Sequence, residues 1–534
     1  MIYVEMIRNY SRKLRLYLNT VRHLKLIQVI YRIIWPLLDG YNLFNRKEIY
    51  VASDLDWIDY LVSSTTYCKD RNTFIFLNLK QSFPLEIDWT YNSNGKLWNY
   101  NLHYFDYLNQ KDLNEKEGIQ LIYSFIRNYY NLNIDLEPYP TSLRIINWVK
   151  FLSRNGVLEN EEINKVLISQ CNTLNNKIEY HILGNHILEN AFALLFASYY
   201  FKNEKFYNKS KDLIEKELKR QILKDGSHFE LSPMYHKLIL FRVLDSINLI
   251  STNNWKTDAL LEQISDVARL MLGWLKSIQF RDGSLPMVND CTSEVAPETR
   301  ELYLYASKLG INTLEINLSE SGYRKLVNNS FEVFIDVGAI KANYQPGHTH
   351  SDIFSYVLYY KDEPIIVDTG TSTYENNARR HYERSTYAHN TISINNYNPI
   401  EVWSSFRVGN RADINVEFEN NELISASHNG YRKFKITHHR EYLLKDETFQ
   451  ISDKLTGKTT KLATSSLHFH PNVKDIRVVQ NTICIKSINL IIEIVGDIQN
   501  IRLEKYEFAN GFNLTEEAKC LRIDFMNQIQ TIIR

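Results

Sequence analysis

The chain has 534 residues, 44% of them hydrophobic, with Lys+Arg and Asp+Glu each at 62 and a formal net charge of zero. One hydrophobic core rarely serves so long a chain, so at least two domains are expected, and the balanced charge excludes the broad positive field of a non-specific nucleic-acid binder. The cysteines, Cys68, Cys171, Cys291, Cys484 and Cys520, are odd in number and scattered, which excludes C-x-x-C zinc or redox chemistry and implies a reduced compartment.

The first segment, to about Gly40, mixes Arg8, Arg12, Lys13, Arg15, Arg22, Lys25 and Arg32 with apolar residues. It offers neither an uninterrupted apolar run nor a small-residue cleavage site, so no secretion signal is read and a cytoplasmic location is the default. Its apolar stretches are too short and too charged to span a membrane. A solvated helical extension over 1–45 is expected, and a basic amphipathic helix touching a membrane surface is the second reading.

From about 114 to 310 the apolar residues recur at helical spacing, in segments near 120–130, 143–152, 162–174, 186–200, 206–223, 235–250 and 260–278. Short polar breaks such as Asn155-Gly156 and Lys224-Asp225-Gly226 separate them. No fixed-period repeat is present, so the helix pairs are expected to close into an (α/α) toroid over 46–322 rather than to stack as a solenoid. After Gly322 the pattern changes to short runs rich in Val, Ile, Phe, Tyr and Thr, with turn signals at Asn429-Gly430 and Thr456-Gly457. An antiparallel β-sandwich over 323–534 is expected.

Three sets of residues could carry chemistry. In the helical part, Gly184-Asn185-His186 opens one helical run, and Glu230, Ser232 and Tyr235 surround the start of another, with Ser232 as N-cap and Pro233 at the first helical position. Taken alone, Tyr235 reads as a packed aromatic and Asn185 as a cap. Upstream, the stretch around His103 and the stretch holding Tyr139 and Arg144 combine aromatic faces with polar donors, suited to stacking on sugar rings and to pairing a carboxylate or sulfate. A structural ion pair competes for Arg144. In the β-rich part, His348 and His350 follow a Pro-Gly turn and point to one side if the chain is extended there. With Asp368 and His389 further on, imidazole and carboxylate donors suit zinc, and hydrogen-bonded polar residues at a domain interface are the competing reading.

The succession W-N-Y-N-L-H-Y-F-D-Y-L, G-N-H, D-G-S-x-F-E-x-S-P-x-Y-H, F-R-D-G-S-L-P, G-H-x-H-S-D and A-H-N-T, over roughly residues 95 to 410, resembles the heparinase II/III family of polysaccharide lyases. The resemblance implies a toroid, a β-sandwich and a cleft between them that takes an acidic polysaccharide. It implies that Tyr235 is the catalytic tyrosine, His348 the base or its helper, and Asn185 the amide facing the substrate carboxylate. It further implies a structural divalent ion, zinc, on His350, Asp368 and His389. His186, Arg144, Tyr139, His103 and Glu230 are the expected substrate contacts.

Removing the weakly acidic hydrogen at C5 of a uronic acid requires that the neighbouring carboxylate be neutralised as charge moves into it, a task for Asn185. A Tyr235 base requires a lowered pKa, which cationic neighbours would supply. The expected activity is β-elimination leaving a 4,5-unsaturated uronate. The alternatives are a C5-epimerase using the same groups, a toroid-type glycoside hydrolase using two of Glu189, Glu230 and Asp290, and a non-catalytic polysaccharide binder.

Overall fold

The structure, a computed structural model, describes residues 2–39, 51–58, 64–132, 137–157, 160–457 and 461–534. The expected junction between extension and toroid at residues 45 and 46 lies outside the described residues.

Two helices lead the chain, α1 (Ile2–Val21) and α2 (Leu26–Asp39), followed by a small antiparallel sheet of β1 (Tyr67–Cys68), β2 (Thr73–Phe76) and β3 (Leu79–Ser82). The helical array then runs α3 (Lys96–Tyr104), α4 (Glu115–Leu132), α5 (Pro138–Arg154), α6 (Glu161–Asn176), α7 (Asn185–Phe201), α8 (Glu204–Gln221), α9 (Pro233–Thr252), α10 (Leu260–Ile278) and α11 (Thr299–Lys308). Odd-numbered helices touch one another in succession, α3 with α5, α5 with α7, α7 with α9 and α9 with α11, while α4 meets α6 and α8 meets α10. That alternation is the (α/α) toroid, with an inner and an outer ring. Composition assigns the rings: α7 is apolar on almost every side and wholly interior, whereas α8 carries charge on the face it turns to water.

All strand pairings after the toroid are antiparallel. A four-stranded sheet comprises β4 (Tyr323–Val327), β5 (Phe331–Asp336), β6 (Tyr356–Tyr360) and β7 (Glu363–Ile366). The helix α12 (Ala378–Glu383) follows, then β8 (Ile392–Ile394) and a short hairpin of β9 (Val402–Trp403) and β10 (Arg407–Val408). The remaining strands are β11 (Ile414–Glu419), β12 (Leu423–His428), β13 (Ile436–Lys445), β14 (Thr448–Gly457), β15 (Ala463–His468), β16 (Ile476–Val479), β17 (Thr482–Ile485), β18 (Leu490–Gly511) and β19 (Leu514–Ile533). They form a large sheet in the order β11-β12-β13-β14-β19-β18-β17-β16, which β15 joins through β19 and β8 through β15. The two sheets share one core, in which Val333, Leu358 and Ile366 of the smaller meet Tyr442, Phe449 and Ile523 of the larger, and the whole is an antiparallel β-sandwich.

Toroid and sandwich are joined by a third cluster, in which Leu231, Trp274 and Phe280 pack on Tyr323, Phe334 and Tyr359. Phe280 and Tyr359 stack with ring centroids 3.9 Å apart, and each such buried side chain contributes ~2 kcal/mol. The leading helices bridge the same two bodies. Gln28 donates to the carbonyls of Ile182 and Tyr344, Trp35 packs on His181, and Trp403 donates to Thr20. The extension is therefore pinned on one side rather than solvated all round.

Candidate active site

The ends of the inner helices place the first groups. Ser232 accepts from the backbone N–H of Tyr235, as an N-cap with Pro233 behind it should, and this fixes Tyr235 in the first turn of α9. Gly184 caps α7 with φ +62, and a Cβ there would lie 2.6 Å from Glu230 Oε1, so the position admits only glycine. The reason is the grip on Asn185, whose backbone N–H donates to Glu230 Oε1 at 3.0 Å and whose Nδ2 donates to Oε2 at 2.9 Å. Glu230, expected to contact substrate, is 3% exposed and instead holds Asn185 in place.

The β-sandwich supplies the second half. His348 lies on Tyr235 with ring centroids 3.8 Å apart and planes inclined by 29°. Its Nδ1 is 2.9 Å from Asp290 Oδ2, and His350 Nε2 is 2.8 Å from Asp290 Oδ1. Arg380 of α12 donates through both terminal nitrogens to the two oxygens of the same carboxylate. Burial alone would raise the pKa of Asp290, but Arg380 and the two imidazoles hold it well below the usual carboxylate range. An ionised Asp290 accepts from Nδ1 of His348 and so orients the ring, with Nε2 facing Glu230 Oε2 at 3.5 Å. The shared reach of His348 and His350 is the one-sided presentation expected of their spacing.

The phenol of Tyr235 is 3.2 Å from the hydroxyl of Tyr374, whose ring is flanked by Phe406 and Phe512. Its pKa is raised well above the ordinary value by burial first, then by Tyr374 and the anionic Asp290 and Glu230. This overturns the expectation of cationic neighbours lowering it: the arrangement keeps Tyr235 protonated. Beside Asn185, His186 packs tilted on Tyr139 with ring centroids 4.5 Å apart, and its Nδ1 lies 3.0 Å from Glu179 Oε1. Burial would lower the pKa of His186, but Glu179 more than offsets that and raises it.

Two expected contacts sit elsewhere. Arg144 is fully buried and donates to Gln170, to Thr141 and to the carbonyl of His103, with Phe125 beneath its guanidinium. His103 is also interior, bonded to the carbonyl of Trp89, and burial with the charge of Arg144 lowers its pKa to about 4. Both hold the toroid together, because their stretch forms inner-ring helices rather than cleft loops. The carboxylates considered for hydrolysis are equally committed: Glu189 to Arg242, Asp290 to Arg380 and Glu230 to Asn185.

The candidate zinc ligands come close but pair among themselves. Asp368 Oδ2 is 2.7 Å from His389 Nδ1, and the rings of His350 and His389 are 5.3 Å apart. Among the described residues no three His, Cys, Asp or Glu side chains converge as a ready cage. The imidazole nitrogens His350 Nδ1 and His389 Nε2 are nevertheless buried without a hydrogen-bond partner, each at a cost of ~1–3 kcal/mol. Asp368 thus acts here as the orienting carboxylate of His389, and the donor set fits a metal through two nitrogens.

Sequence reasoning had weighed Asp290 only for hydrolysis and did not single out Arg380 or Tyr374. Their only signal was position: Asp290 lies four residues after the end of F-R-D-G-S-L-P, and Tyr374 and Arg380 lie between the two histidine motifs.

Residues 145–308 match the family model described as heparinase II/III N-terminus, and residues 312–529 match the one described as heparinase II/III-like, C-terminal. A heparin-sulfate lyase of Bacteroides stercoris is 22% identical over 317 residues, covering 54% of this chain and 46% of that protein. One of Pedobacter heparinus is 23% identical over 366 residues, covering 62% and 52%. The chain spans about half the length of these curated relatives. A crystal structure of heparinase III superposes with TM-score 0.70 at 17% identity, covering 94% of this chain and 89% of that one. A mutant heparan sulfate lyase of Pedobacter heparinus gives 0.58 at 17%, covering 85% and 79%. The structural likenesses show the fold.

Proposed function

The chain belongs to the heparinase II/III family, and from that premise we propose that it is a carbon–oxygen lyase that cleaves a uronic-acid-containing, acidic polysaccharide by β-elimination. The observation that carries the reading is the stacking of His348 on Tyr235 at 3.8 Å, with Glu230 reaching both His348 Nε2 at 3.5 Å and Asn185 at 2.9 Å, which supports a base, an acid and an amide serving one sugar. Names of the relatives, heparin-sulfate lyases, support a glycosaminoglycan-like substrate.

In this reading the uronate carboxylate lies against Asn185 and the imidazolium of His186, which stabilise the charge that develops as C5 loses its hydrogen. His348 Nε2, its tautomer set by Asp290, takes that proton. Tyr235, kept protonated, gives its proton to the O4 leaving oxygen, the C4–O4 bond breaks, and the double bond forms between C4 and C5. Tyr139 and Phe406 offer ring faces on which neighbouring sugars stack. A zinc ion, when bound, would supply only structural fixation of the loop carrying His348, held by His350 and His389 with Asp368 behind them.

The test is incubation of the chain with uronate-containing polysaccharides, sulfated and unsulfated, following the absorbance of the unsaturated product. Tyr235→Phe should abolish it. Exchange of C5 hydrogen in deuterated water with chain length retained would instead identify an epimerase.

A further inference from the structure

Each of α1 and α2 carries exposed apolar side chains at helical spacing. Leu14 and Leu18 of α1 are 53% and 62% exposed, and Leu26, Ile30, Ile33 and Leu37 of α2 are 74%, 45%, 72% and 75% exposed. Their spacing of three and four residues places them on one face of each helix. Exposed aliphatic side chains scattered singly are ordinary, but six of them aligned at helical spacing on two consecutive helices are not. The opposite face cannot turn over to hide them, because Gln28, Trp35 and Thr20 fasten it to both the toroid and the sandwich.

Charge identifies the occupant. Between residues 2 and 39 the sequence holds seven Lys or Arg and two acidic residues, in a chain whose total charge is balanced. Lys13, Arg15 and Arg32 are exposed on the same helices. A second copy of the chain would set this basic surface against itself, a like-charge arrangement that disfavours association. An anionic lipid surface offers the opposite charge together with an apolar layer for these side chains. No helix among the described residues is long and apolar enough to cross a membrane.

We propose that α1 and α2 dock the protein on the surface of a bilayer containing anionic phospholipid, lying in the headgroup plane with Leu18, Leu26 and Ile33 inserted. The toroid and sandwich, gripped from the other side, would then work at that surface.

Flotation of the full chain with vesicles tests this. Phosphatidylcholine vesicles containing phosphatidylglycerol should carry at least about tenfold more protein than phosphatidylcholine alone, and molar salt should release it. The double variant Leu26→Asp with Ile33→Asp should lose flotation at an unchanged melting temperature, because both side chains point away from the fold. Lys13→Ala with Arg32→Ala should weaken binding to the anionic vesicles selectively. Absence of flotation with either vesicle, or equal flotation with both, overturns the proposal. So does a dimer in solution that the Leu26→Asp, Ile33→Asp variant dissociates, which would make a second copy the occupant.

Discussion

The imidazole of His348 rests on the phenol ring of Tyr235 at 3.8 Å although 113 positions separate them in sequence and the toroid supplies one, the sandwich the other. The toroid without the sandwich lacks His348, and the sandwich without the toroid lacks Tyr235. Their meeting depends on Asp290, which is hydrogen-bonded to His348 and whose neighbour Asn289 donates to the carbonyl of Leu231, close to the start of α9.

Replacing Tyr235 with Phe removes the proton donor and leaves the ring contact with His348. Turnover should fall by ~10²–10⁴-fold with little change in melting temperature. Tyr374→Phe deletes only a hydrogen bond to that phenol and should cost about tenfold or less. Steady-state kinetics on a polymer that the wild type cleaves decides both; equal losses in the two variants would contradict the division of roles.

Asp290→Asn no longer obliges Nδ1 of His348 to carry the proton, and it also leaves the buried Arg380 without its counter-charge. Turnover should drop by ~10²-fold or more with KM nearly unchanged. Arg380→Met acts differently, since it strands a buried carboxylate, and should cost ~3–5 kcal/mol in stability. Arg380→Lys should recover part of that, lacking the two-pronged geometry. Denaturant midpoints for all of these variants, beside kinetics for Asp290→Asn under conditions where it is folded, separate charge loss from tautomer loss.

Arg144→Ala should lower stability by about 3 kcal/mol, because the guanidinium satisfies Gln170, Thr141 and the His103 carbonyl in a dry interior. At a temperature where the variant is folded, KM for polysaccharide should match the wild type. A large rise in KM with intact stability would restore Arg144 to the cleft.

Three histidines of the toroid are buried in the neutral form, His103 and His228 with pKa values lowered to about 4 and His236 to about 3, in each case chiefly by burial. An unfolded chain takes up these protons near pH 6.5, whereas the folded one resists until about pH 4. The stability they contribute is complete above pH 6.5 and is lost as pH falls toward 4, on the order of 3 kcal/mol for each group. Urea melts at stepped pH should show this decline, and His103→Gln should flatten it by one proton's share. An unchanged slope would show that His103 is not the group titrating.

Protein purified without chelator should carry about one zinc per chain by elemental analysis, and His350→Ala or His389→Ala should each lose it. Chelation should lower the melting temperature even in the absence of polysaccharide. A metal-free wild type with full thermal stability would remove the ion from the reading.

Much of the architecture was legible because periodicity survives in single segments: the all-round apolar run of α7 and the Val- and Ile-rich runs of β5 and β18 each announce their class. Tyr235, His348 and Asn185 were singled out by the family resemblance, whose motifs sit at an N-cap with proline, a Pro-Gly turn and a capping glycine; read alone, Tyr235 and Asn185 look like a packed aromatic and a cap. Arg144 misled because a guanidinium near a helix start looks the same in sequence whether it faces a groove or a ring of helices. The role of Asp290 was hidden for the complementary reason: its partners arrive from 58, 60 and 90 residues away, and no local pattern encodes a meeting of that kind.

The junction at Asp290 has a consequence for biogenesis. A nascent chain whose toroid has closed while its sandwich is still being synthesised possesses Tyr235, Asn185 and His186 but neither His348 nor His350, the imidazoles that meet Asp290. Such an intermediate lacks the base that the proposed elimination uses, so on that reading the fold withholds reactivity until synthesis of the second half is complete.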